Sequence, residues 1–367
     1  MKEFTAAEEI FSQPEAQDPG ERPGRSRRGN PCRTRTGPPT SRSAPRGSPS
    51  WGGSTQGEIA ARLGVSPAKV HRLIAHAQKE GLVRFQIEGR PIECLELEDE
   101  LTRHFALTSC IIAPDLGGGD QTTAIRAVAS VAGPFLSNLL SGPEIRQLGV
   151  GMGRTLKASV AAMPRLSRPD LAIISISGSL MRKLSANPFD IVQPLIERTG
   201  GEGYYLPVPY FAESLEERDM FLGQRSVQDL LARARRSDAF VVGIGSIDDD
   251  GHLVQRGIIQ KEDQDGLMRS SAVSDLMGRF VSIEGAQVPV SLGECAVGLH
   301  YEEVRGSRVI ALVGGESKAD ATLAALRTGV ITDLIADETL ARALKQRLGS
   351  SGPVTAALLP RSVQEGK

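Results

Sequence analysis

Four glycine-rich loops carry the side chains in this sequence that are best suited to bind a ligand. The first, LGVGMGRTLK at 148–157, predicts a strand, a Gly-x-Gly turn and a helix that begins at or near Thr155. Glycines let a backbone approach an anion closely, and a helix start supplies N–H donors and a favourable dipole. Because neither a complete GxGxxG nor a Walker lysine is present, a nucleotide site is not indicated, and a turn required only for packing is the alternative.

Three further loops follow predicted strands in the same way. They are SISGSL at 175–180, VVGIGSIDDDGHL at 241–253 and LVGGESKADATLAAL at 312–326. Ligands of doubly wound sheets bind outside the carboxyl ends of the strands, so we expect all four loops at one edge of a sheet. Lys318 lies in the predicted first turn of a helix, where a cation opposes the dipole. This placement favours a ligand-binding role for Lys318, and an ordinary surface lysine is the alternative.

The acidic run in the third loop indicates a second kind of chemistry. GIGSIDDDGH is similar to the GIGxDGH loop of glucosamine-phosphate deaminases, and sugar isomerisation needs a carboxylate base near the reacting carbon. The candidates for such a base are Asp248, Asp249, Asp250 and His252. A solvated acidic turn explains the same residues without catalysis.

Strands and helices are predicted to alternate from residue 108 to about residue 348. Segments typical of strands lie at 109–113, 146–150, 171–176, 203–208, 239–244, 280–284 and 308–313. Helical patterns lie at 121–140, 155–163, 188–198, 214–218, 226–236, 317–328 and 337–347. This alternation predicts βαβ units, and therefore an α/β domain with a doubly wound, mostly parallel sheet covered on both faces.

The segment TQGEIAARLGVSPAKVHRLIAHAQKEGLV, residues 55–83, is typical of two short helices with a tight turn between them. Gly64 suits the left-handed position after the first helix, and Ser66 followed by Pro67 is a favourable start for the second. The alternating segment at 82–89 predicts the start of a wing, and 93–105 predicts a linker helix. The pattern indicates a winged helix-turn-helix.

A helix-turn-helix places its second helix in the major groove of DNA, and polar groups at the helix starts contact phosphates. The predicted DNA-binding residues are Gln56, Ser66, Lys69, His71 and Arg72. The alternative is a helical hairpin with a solvated charged face. Such domains usually have a further helix before these two, and the residues upstream of Ser54 have no comparable helical pattern.

Residues 21–50 contain eight Arg and six Pro with hardly an aliphatic residue, so no core is expected there. Disorder without a specific role is one interpretation of this segment, and a nonspecific phosphate-binding arm is another. The composition changes abruptly at Trp51, and Lys is absent between Lys2 and Lys69. A shifted reading frame or a different start would also produce this change, and resequencing the 5′ region would test it.

Composition limits the class of protein. The 367 residues carry a net charge of -1, so any positive surface for nucleic acid must be local. Cys32, Cys94, Cys110 and Cys295 lie far apart, which indicates neither a zinc site nor a disulfide framework and fits a reducing cytosol. The longest apolar runs have the length of strands, and the N-terminal residues lack the apolar core of a signal peptide, so we expect no membrane segment.

Residues 54–348 resemble the SorC/DeoR family of bacterial sugar-responsive transcriptional regulators. The resemblance is carried by TQGEIAARLGVSPAKVHRLI, GMGRTL, VVGIGSI, SDLMGRF and GGESKADATLAALRTGVITDLIADE. It implies a winged helix-turn-helix, a sensor domain related to sugar-phosphate isomerases and deaminases, and usually a tetramer. KVHRLIA and IEGRPIECLELE resemble the polyol branch, of the erythritol type.

The resemblance also implies which residues line the effector pocket: Gly151, Gly153, Thr155, Asp275 and Lys318. Position 274 is Ser where the family often has Gly. With the loop residues added, the predicted effector-binding set is Gly151, Gly153, Arg154, Thr155, Gly178, Ser179, Gly243, Gly245, Ser246, Asp275 and Lys318.

The function predicted is a cytoplasmic, DNA-binding transcriptional regulator of a carbohydrate or polyol catabolic operon. Its expected partners are operator DNA, a sugar, polyol or sugar-phosphate effector, and copies of itself in a homotetramer or dimer. No cofactor, metal or membrane is expected, and a sugar-phosphate isomerase- or deaminase-like enzyme is the alternative. The domains expected are an N-terminal segment, the helix-turn-helix, a linker helix, the effector domain and a tail, at 1–53, 54–92, 93–107, 108–348 and 349–367.

Overall fold

The computed structural model describes residues 57, 60–61, 64–72, 91–179, 190–249, 251–255 and 257–350. The chain divides into two units, Met1–Glu80 and Gly81–Lys367. The predictions for the N-terminal segment, for the wing at 82–89 and for the tail beyond Ser350 lie outside the described residues, as do those for Gln56 and Asp250. Residues 349–350 belong to the last helix rather than to the tail.

The first unit contains a helical segment, a turn and a second helix start. Gly64 takes a left-handed conformation with φ +63°, and the Val65 N–H donates to the Ala60 carbonyl at 3.0 Å. The second helix begins at Pro67, and the Ser66 hydroxyl accepts from the Lys69 N–H at 3.3 Å. Ala60 and Val70 are each 3 % exposed. The helix–turn–helix geometry predicted for these residues is confirmed.

The second unit alternates between helices and strands. Its helices are Ile92–Phe105 (α1), Gln121–Ser141 (α2), Arg154–Ala162 (α3), Val192–Thr199 (α4), Leu215–Gly223 (α5), Arg225–Ala234 (α6), His252–Gln255 (α7), Lys261–Arg269 (α8), Ser291–Glu294 (α9), Ala319–Arg327 (α10) and Glu338–Ser350 (α11). Its strands are Ser109–Ala113 (β1), Gln147–Val150 (β2), Ala172–Ser175 (β3), Glu202–Tyr204 (β4), Ala239–Val242 (β5), Gly245–Ser246 (β6), Ala272–Leu276 (β7), Arg279–Ser282 (β8), Arg308–Leu312 (β9) and Asp333–Asp337 (β10). Short 3-10 helices span Tyr301–Val304 and Glu316–Lys318.

Within the described residues, seven strands form a parallel sheet in the order β1-β10-β9-β5-β2-β3-β4. The chain proceeds from β2 to β3 and β4 on one side, and β5, β9 and β10 lie on the other side. The strand order therefore reverses between β2 and β5. In sheets of this type the crevice at the reversal is the usual place for a ligand.

Both faces of the sheet are covered, as a buried parallel sheet requires. In β5, Phe240 and Val242 pack into one core with α1, α6, α10 and α11, whereas Ala239 and Val241 pack into the other with α2, α3 and α4. The alternation follows from the two-residue period of a strand. The predicted doubly wound architecture is confirmed.

A small antiparallel sheet, β6-β7-β8, completes the unit. Met277 and Gly278 form the two-residue loop between β7 and β8, with φ of +54° and +81°. Positive φ at both loop positions is the pattern of a type I′ hairpin turn. The Gly278 N–H donates to the Asp275 carboxylate at 2.9 Å, so the turn holds this side chain at the end of the hairpin.

Strands β6, β7 and β10 and the helices α7, α8 and α9 were not predicted. Strand β10 is fully buried but has only three apolar residues between two aspartates. The Asp333 carboxylate accepts from Arg308 at 2.8 Å, and Asp337 accepts from the Gly315 N–H at 2.6 Å. Because tertiary contacts satisfy both carboxylates, a strand forms where the local pattern does not indicate one.

In the part of the chain that the structure describes, α2 has the length and composition needed to cross a membrane, with 21 residues that include an 18-residue window of mean hydropathy 1.2. It packs against α3 and β10. Val128, Ala132 and Leu136 are buried in the core that α2 shares with the sheet. Burial against the sheet accounts for the apolar composition of this helix.

Candidate functional site

A cavity, called here the main cavity, lies where the carboxyl ends of β2, β5 and β9 approach the small sheet. It encloses about 680 Å³ including the part open to solvent. Predicted effector residues that line it are Gly151, Gly153, Arg154, Thr155, Gly243, Gly245, Asp275 and Lys318. The cavity thus lies at the reversal of strand order between β2 and β5.

The start of α3 forms one wall of the main cavity. Gly153, the N-cap residue, has φ +148° and no side chain to cap the helix, and the helix begins at Arg154, so Thr155 lies within the first turn rather than at its cap. The first N–H groups of a helix have no intrahelical acceptors. Together with the helix dipole, they make this wall suited to an anionic or strongly polar group.

Lys318 reaches the main cavity from the loop after β9. Lys318 is only 6 % exposed and is the N-cap residue of α10. The ammonium donates to the Ser246 hydroxyl at 2.9 Å, and that hydroxyl donates to the Asp248 carboxylate at 2.9 Å. Ser246 therefore positions the lysine and is not among the residues that line the cavity, which differs from its predicted direct contact with the effector.

Asp275 supplies a buried carboxyl group to the same cavity and is 5 % exposed. One carboxylate oxygen accepts from the Gly278 N–H at 2.9 Å, and the other accepts from the Tyr210 hydroxyl at 3.4 Å. Burial raises the pKa of Asp275 to about 6, although the Gly278 N–H and the Lys318 charge act in the opposite direction. The same burial, reinforced by Asp275, raises the pKa of Tyr210 well above its ordinary value, so Tyr210 remains a donor.

The other two predicted residues, Gly178 and Ser179, line a second cavity, called here the side cavity. Gly151, Met152 and Ser177 line both cavities, so the two adjoin. The remaining residues of the side cavity are Ser175, Gly178, Ser179, Asp190, Tyr205 and Leu206. A Cβ at Gly178 would lie 2.1 Å from the Pro209 carbonyl oxygen, so only glycine fits there.

Several residues of the main cavity were missed by the sequence analysis, among them Gln121, Ser177 and Tyr210. Gln121 is the first residue of α2, and its amide donates to the Gly314 carbonyl at 2.5 Å. Asp120 before it is a capping residue, so the sequence did contain a signal for this helix start. Tyr210 lies in an irregular segment with no periodic pattern that could have indicated it.

The acidic run places no described side chain at the main cavity. Asp248 and Asp249 are exposed, Asp248 accepts from Ser246, and Asp249 accepts from Gln264 at 3.0 Å. Asp250 lies outside the described residues, and the side chain of His252 is likewise not described. Asp248 therefore has a supporting role beneath Lys318, which does not require catalysis.

In the first unit, four of the predicted DNA-binding residues are described: Ser66, Lys69, His71 and Arg72. All four are exposed, whereas Val70 between them is buried. The second helix therefore presents two cations and an imidazole on its solvent face. This surface has the residue types that major-groove recognition uses.

Within the described ranges, no group of three or more His, Cys, Asp or Glu could hold a metal ion. The cysteines Cys94, Cys110 and Cys295 are buried and free. Burial raises the pKa of Cys94 to about 11 and that of Cys110 to about 12, so both remain protonated near neutral pH. Protonated, buried thiols are poor nucleophiles and poor metal ligands.

Two protein families match this chain in sequence. A winged helix-turn-helix DNA-binding family matches residues 52–84, and a sugar-binding domain family matches residues 89–345. The second match contains every described residue that lines the two cavities.

Relatives with established names match most of the chain. The erythritol catabolism regulatory protein EryD of Brucella abortus is 35% identical over 292 residues, which are 80% of this chain and 92% of that protein. The transcriptional regulator LsrR of Klebsiella pneumoniae is 29% identical over 300 residues, which are 80% of this chain and 88% of that protein.

Among solved structures, the full-length sorbitol operon regulator SorC of Klebsiella pneumoniae superposes with a TM-score of 0.63 at 22% identity. The match covers 79% of this chain and 93% of that protein, and it shows that the fold is shared. The matched relatives are named transcriptional regulators and the DNA-binding family precedes the sugar-binding one, so an isomerase or deaminase is not favoured. The chain belongs to the SorC/DeoR family of sugar-binding transcriptional regulators.

Proposed function

We propose that this regulator controls an operon for the catabolism of a carbohydrate or polyol, and that its effector is a sugar, a polyol or a sugar phosphate. EryD, the relative at 35% identity, is named for erythritol catabolism, and this supports a polyol as the effector of the present protein. We place the effector in the main cavity and the operator contacts on Gln56, Ser66, Lys69, His71 and Arg72.

The observation that carries the proposal is that a lysine and an aspartate, Lys318 and Asp275, line the same cavity. Both residues are buried, and both line the main cavity beside the start of α3. The ammonium and the helix N–H groups donate to a phosphate or another strongly polar end, whereas the carboxylate accepts from hydroxyl groups, which an ionised phosphate cannot supply. An apolar effector would bury these charges without forming hydrogen bonds to them.

A thermal-shift screen of polyols, sugars and their phosphates, followed by calorimetry, tests the proposal. Lys318→Ala should weaken the best ligand by about 1.5–3 kcal/mol, the range for hydrogen bonds to charged groups. Asp275→Asn should weaken it less, because an amide oxygen still accepts. Lys345→Ala is the matched control, since this lysine is half-exposed on α11 and pairs with Glu100 at 2.6 Å.

Circular dichroism would establish that each variant remains folded. Full affinity in Lys318→Ala, with the fold intact, would place the effector site elsewhere. We further propose a cytoplasmic location and a homotetramer or dimer, because a palindromic operator offers two equivalent half-sites.

A further inference from the structure

The turn that carries Lys318 is tied to the start of α11 by one buried carboxylate. One oxygen of the Asp337 side chain accepts from the Gly315 N–H at 2.6 Å. The Gly315 carbonyl in turn accepts from the Lys318 N–H at 3.0 Å, which closes the turn. A shift of this turn on contact between Lys318 and a ligand would therefore act on Asp337 directly.

The second oxygen of Asp337 caps α11. It accepts from the N–H groups of Thr339 at 3.1 Å and Leu340 at 3.3 Å, and the Thr339 hydroxyl also donates to it. The first N–H groups of a helix need acceptors outside the helix, and an aspartate before the helix is a favourable one. The same side chain thus holds both the Lys318 turn and the start of α11.

Glu338, the next residue, connects the start of α11 to α1. Its side chain is only 15 % exposed, and one carboxylate oxygen accepts from the Asp115 N–H at 3.0 Å and from the Cys94 thiol at 3.8 Å. The other oxygen accepts from Arg342, one turn further along α11. Glu338 therefore joins the first turn of α11 to α1 and to the segment that follows β1.

Apolar packing also joins α1 to α11. The two helices are in contact and contribute buried residues to the same core, among them Cys94, Leu97, Leu101, Leu340 and Leu344. Closely packed elements of this kind transmit a displacement instead of absorbing it. The DNA-binding family match ends at residue 84, and α1 is the first helix described after it in the chain.

We propose that Asp337 and Glu338 couple the effector loop to α1, so that effector binding at Lys318 displaces the helix that follows the DNA-binding region in the chain. The inference rests on the proposed function, since it requires an effector at Lys318 and an operator. It assigns the response of DNA binding to two carboxylates that are not among the described residues lining the main cavity.

The quantity that tests this inference is the coupling factor. It is the larger of the operator dissociation constants with and without saturating effector, divided by the smaller. The effector used is whichever of erythritol, ribitol, sorbitol and fructose 6-phosphate binds the full chain most tightly in calorimetry, and the operator is the site that footprinting identifies. In the wild type we expect a coupling factor of about 5–150, the usual range for coupled sites.

Glu338→Ala should reduce the coupling factor by at least about twofold, the lower end of what one contact in a coupled network contributes. The variant removes the bonds to Asp115 and Cys94 and leaves the Lys318 turn as it is. Its effector affinity, and its operator affinity without effector, should therefore match those of the wild type. A merely structural loss would instead lower these affinities together.

Asp337→Asn tests the other end of the connection. Asparagine caps a helix as well as aspartate does, but its amide has only one acceptor oxygen. With that oxygen at the start of α11, the amide NH₂ faces the Gly315 N–H and their bond is lost. The coupling factor should fall as in Glu338→Ala. Effector affinity should fall as well, about two- to tenfold, because the lost bond also holds the Lys318 turn.

Asp320→Ala is the matched control. Asp320 is an exposed residue of α10 whose carboxylate accepts from Arg347 of α11. The variant removes a carboxylate contact to the same helix and leaves the bonds of Asp337 and Glu338 in place. Its coupling factor should equal that of the wild type.

Wild-type coupling factors in Glu338→Ala and Asp337→Asn, both folded by circular dichroism, would overturn the inference and leave the proposed function standing. So would an equal reduction in Asp320→Ala, because the effect would then not depend on Asp337 and Glu338. If Glu338→Ala did not fold, the coupling factor of Asp337→Asn would decide by the same two results. If none of the four compounds bound the wild type, or if the bound compound left operator affinity unchanged, the proposed function would fail, and the inference with it.

Discussion

Asp275 is buried and lines the main cavity. Burial of its ionised carboxylate lowers the stability of the fold, whereas its position at the cavity is suited to ligand binding. Burial raises the pKa of its carboxyl group to about 6, whereas an exposed aspartate titrates near 3.9. The folded chain therefore binds this proton more tightly than the unfolded chain. The resulting stability is complete below about pH 4 and is lost as the pH rises through about 6. At neutral pH the carboxyl group is ionised at the expense of stability, and in the proposed function this ionised group accepts hydrogen bonds from hydroxyl groups of the effector.

Asp275→Asn should accordingly change stability in a pH-dependent way. The amide is uncharged at every pH, so the stability of the variant relative to the wild type should be highest at pH 7.5 and lower by about 1–2 kcal/mol at pH 5. Urea denaturation of both proteins at the two pH values measures the difference.

Asp229→Asn is the control for this comparison, because Asp229 is an exposed residue on α6 that pairs with Arg225 at 3.9 Å. Its stability relative to the wild type should be the same at pH 7.5 and pH 5. A relative stability of Asp275→Asn that does not vary with pH would show that the carboxyl group of Asp275 is not destabilised by burial.

Single residues were predictable where a loop has a local signature. Gly151, Gly153 and Lys318 follow strands in glycine-rich loops, and all three line the main cavity. Tyr210 and Asp190 were not predicted, because long-range packing brings them to the cavities and no local pattern marks them. The hydrogen bond from Lys318 to Ser246 was not predictable either, because Ser246 lies 72 positions earlier in the chain and only the fold brings the two side chains together.

The elements differ in how clearly the sequence indicates them. Helix α2 and strand β1 have the periodic apolar patterns of their types, and both lie where they were predicted. Strand β10 has carboxylates at both ends, and its burial depends on Arg308 and Gly315 from another part of the chain. Strand β7 contains Ser274 and Asp275, so its pattern was not that of a buried strand. Tertiary contacts determine both strands.

The second helix of the first unit should carry the sequence specificity for DNA. Lys69→Ala and Arg72→Ala should each weaken operator binding, by about 1–3 kcal/mol and with a loss of sequence preference if the side chain contacts a base edge. If the side chain contacts only a phosphate, the alanine variant should bind all DNA sequences more weakly by the same factor. Its affinity should also depend less on salt, by about one released counterion. Footprinting titrations on the operator and on unrelated DNA at several salt concentrations distinguish the two results.

The double variant Lys345→Ala with Arg225→Ala is the control for Lys69→Ala with Arg72→Ala. It removes the same charge from exposed positions in the second unit. Operator affinity should fall only in the double variant Lys69→Ala with Arg72→Ala. Equal affinities in both pairs and in the wild type would contradict the placement of this helix in the major groove.

At the scale of the whole molecule, we expect DNA recognition to require more than one chain. A helix-turn-helix contacts one half-site, and the half-sites of an operator lie about 34–36 Å apart, or multiples of that distance. We therefore expect light scattering of the full chain at micromolar concentration to report a dimer or a tetramer. A fragment with residues 108–367 should keep this state, because we expect the subunits to associate through the effector domain. A monomeric full chain would contradict the expectation.

The final prediction concerns the coupling between effector and operator. If a saturating effector changes the dissociation constant of the operator by some factor, saturating operator must change that of the effector by the same factor, because both describe one thermodynamic cycle. Fluorescence anisotropy on labelled operator and calorimetry on the effector measure the two sides independently. Lys318→Ala should bind the operator like the wild type when no effector is present, since Lys318 lies in the second unit. It should fail to respond at effector concentrations that saturate the wild type and respond only at concentrations roughly 10–100-fold higher. If the variant responded at the effector concentration that saturates the wild type, the main cavity would not be the site through which the effector controls DNA binding.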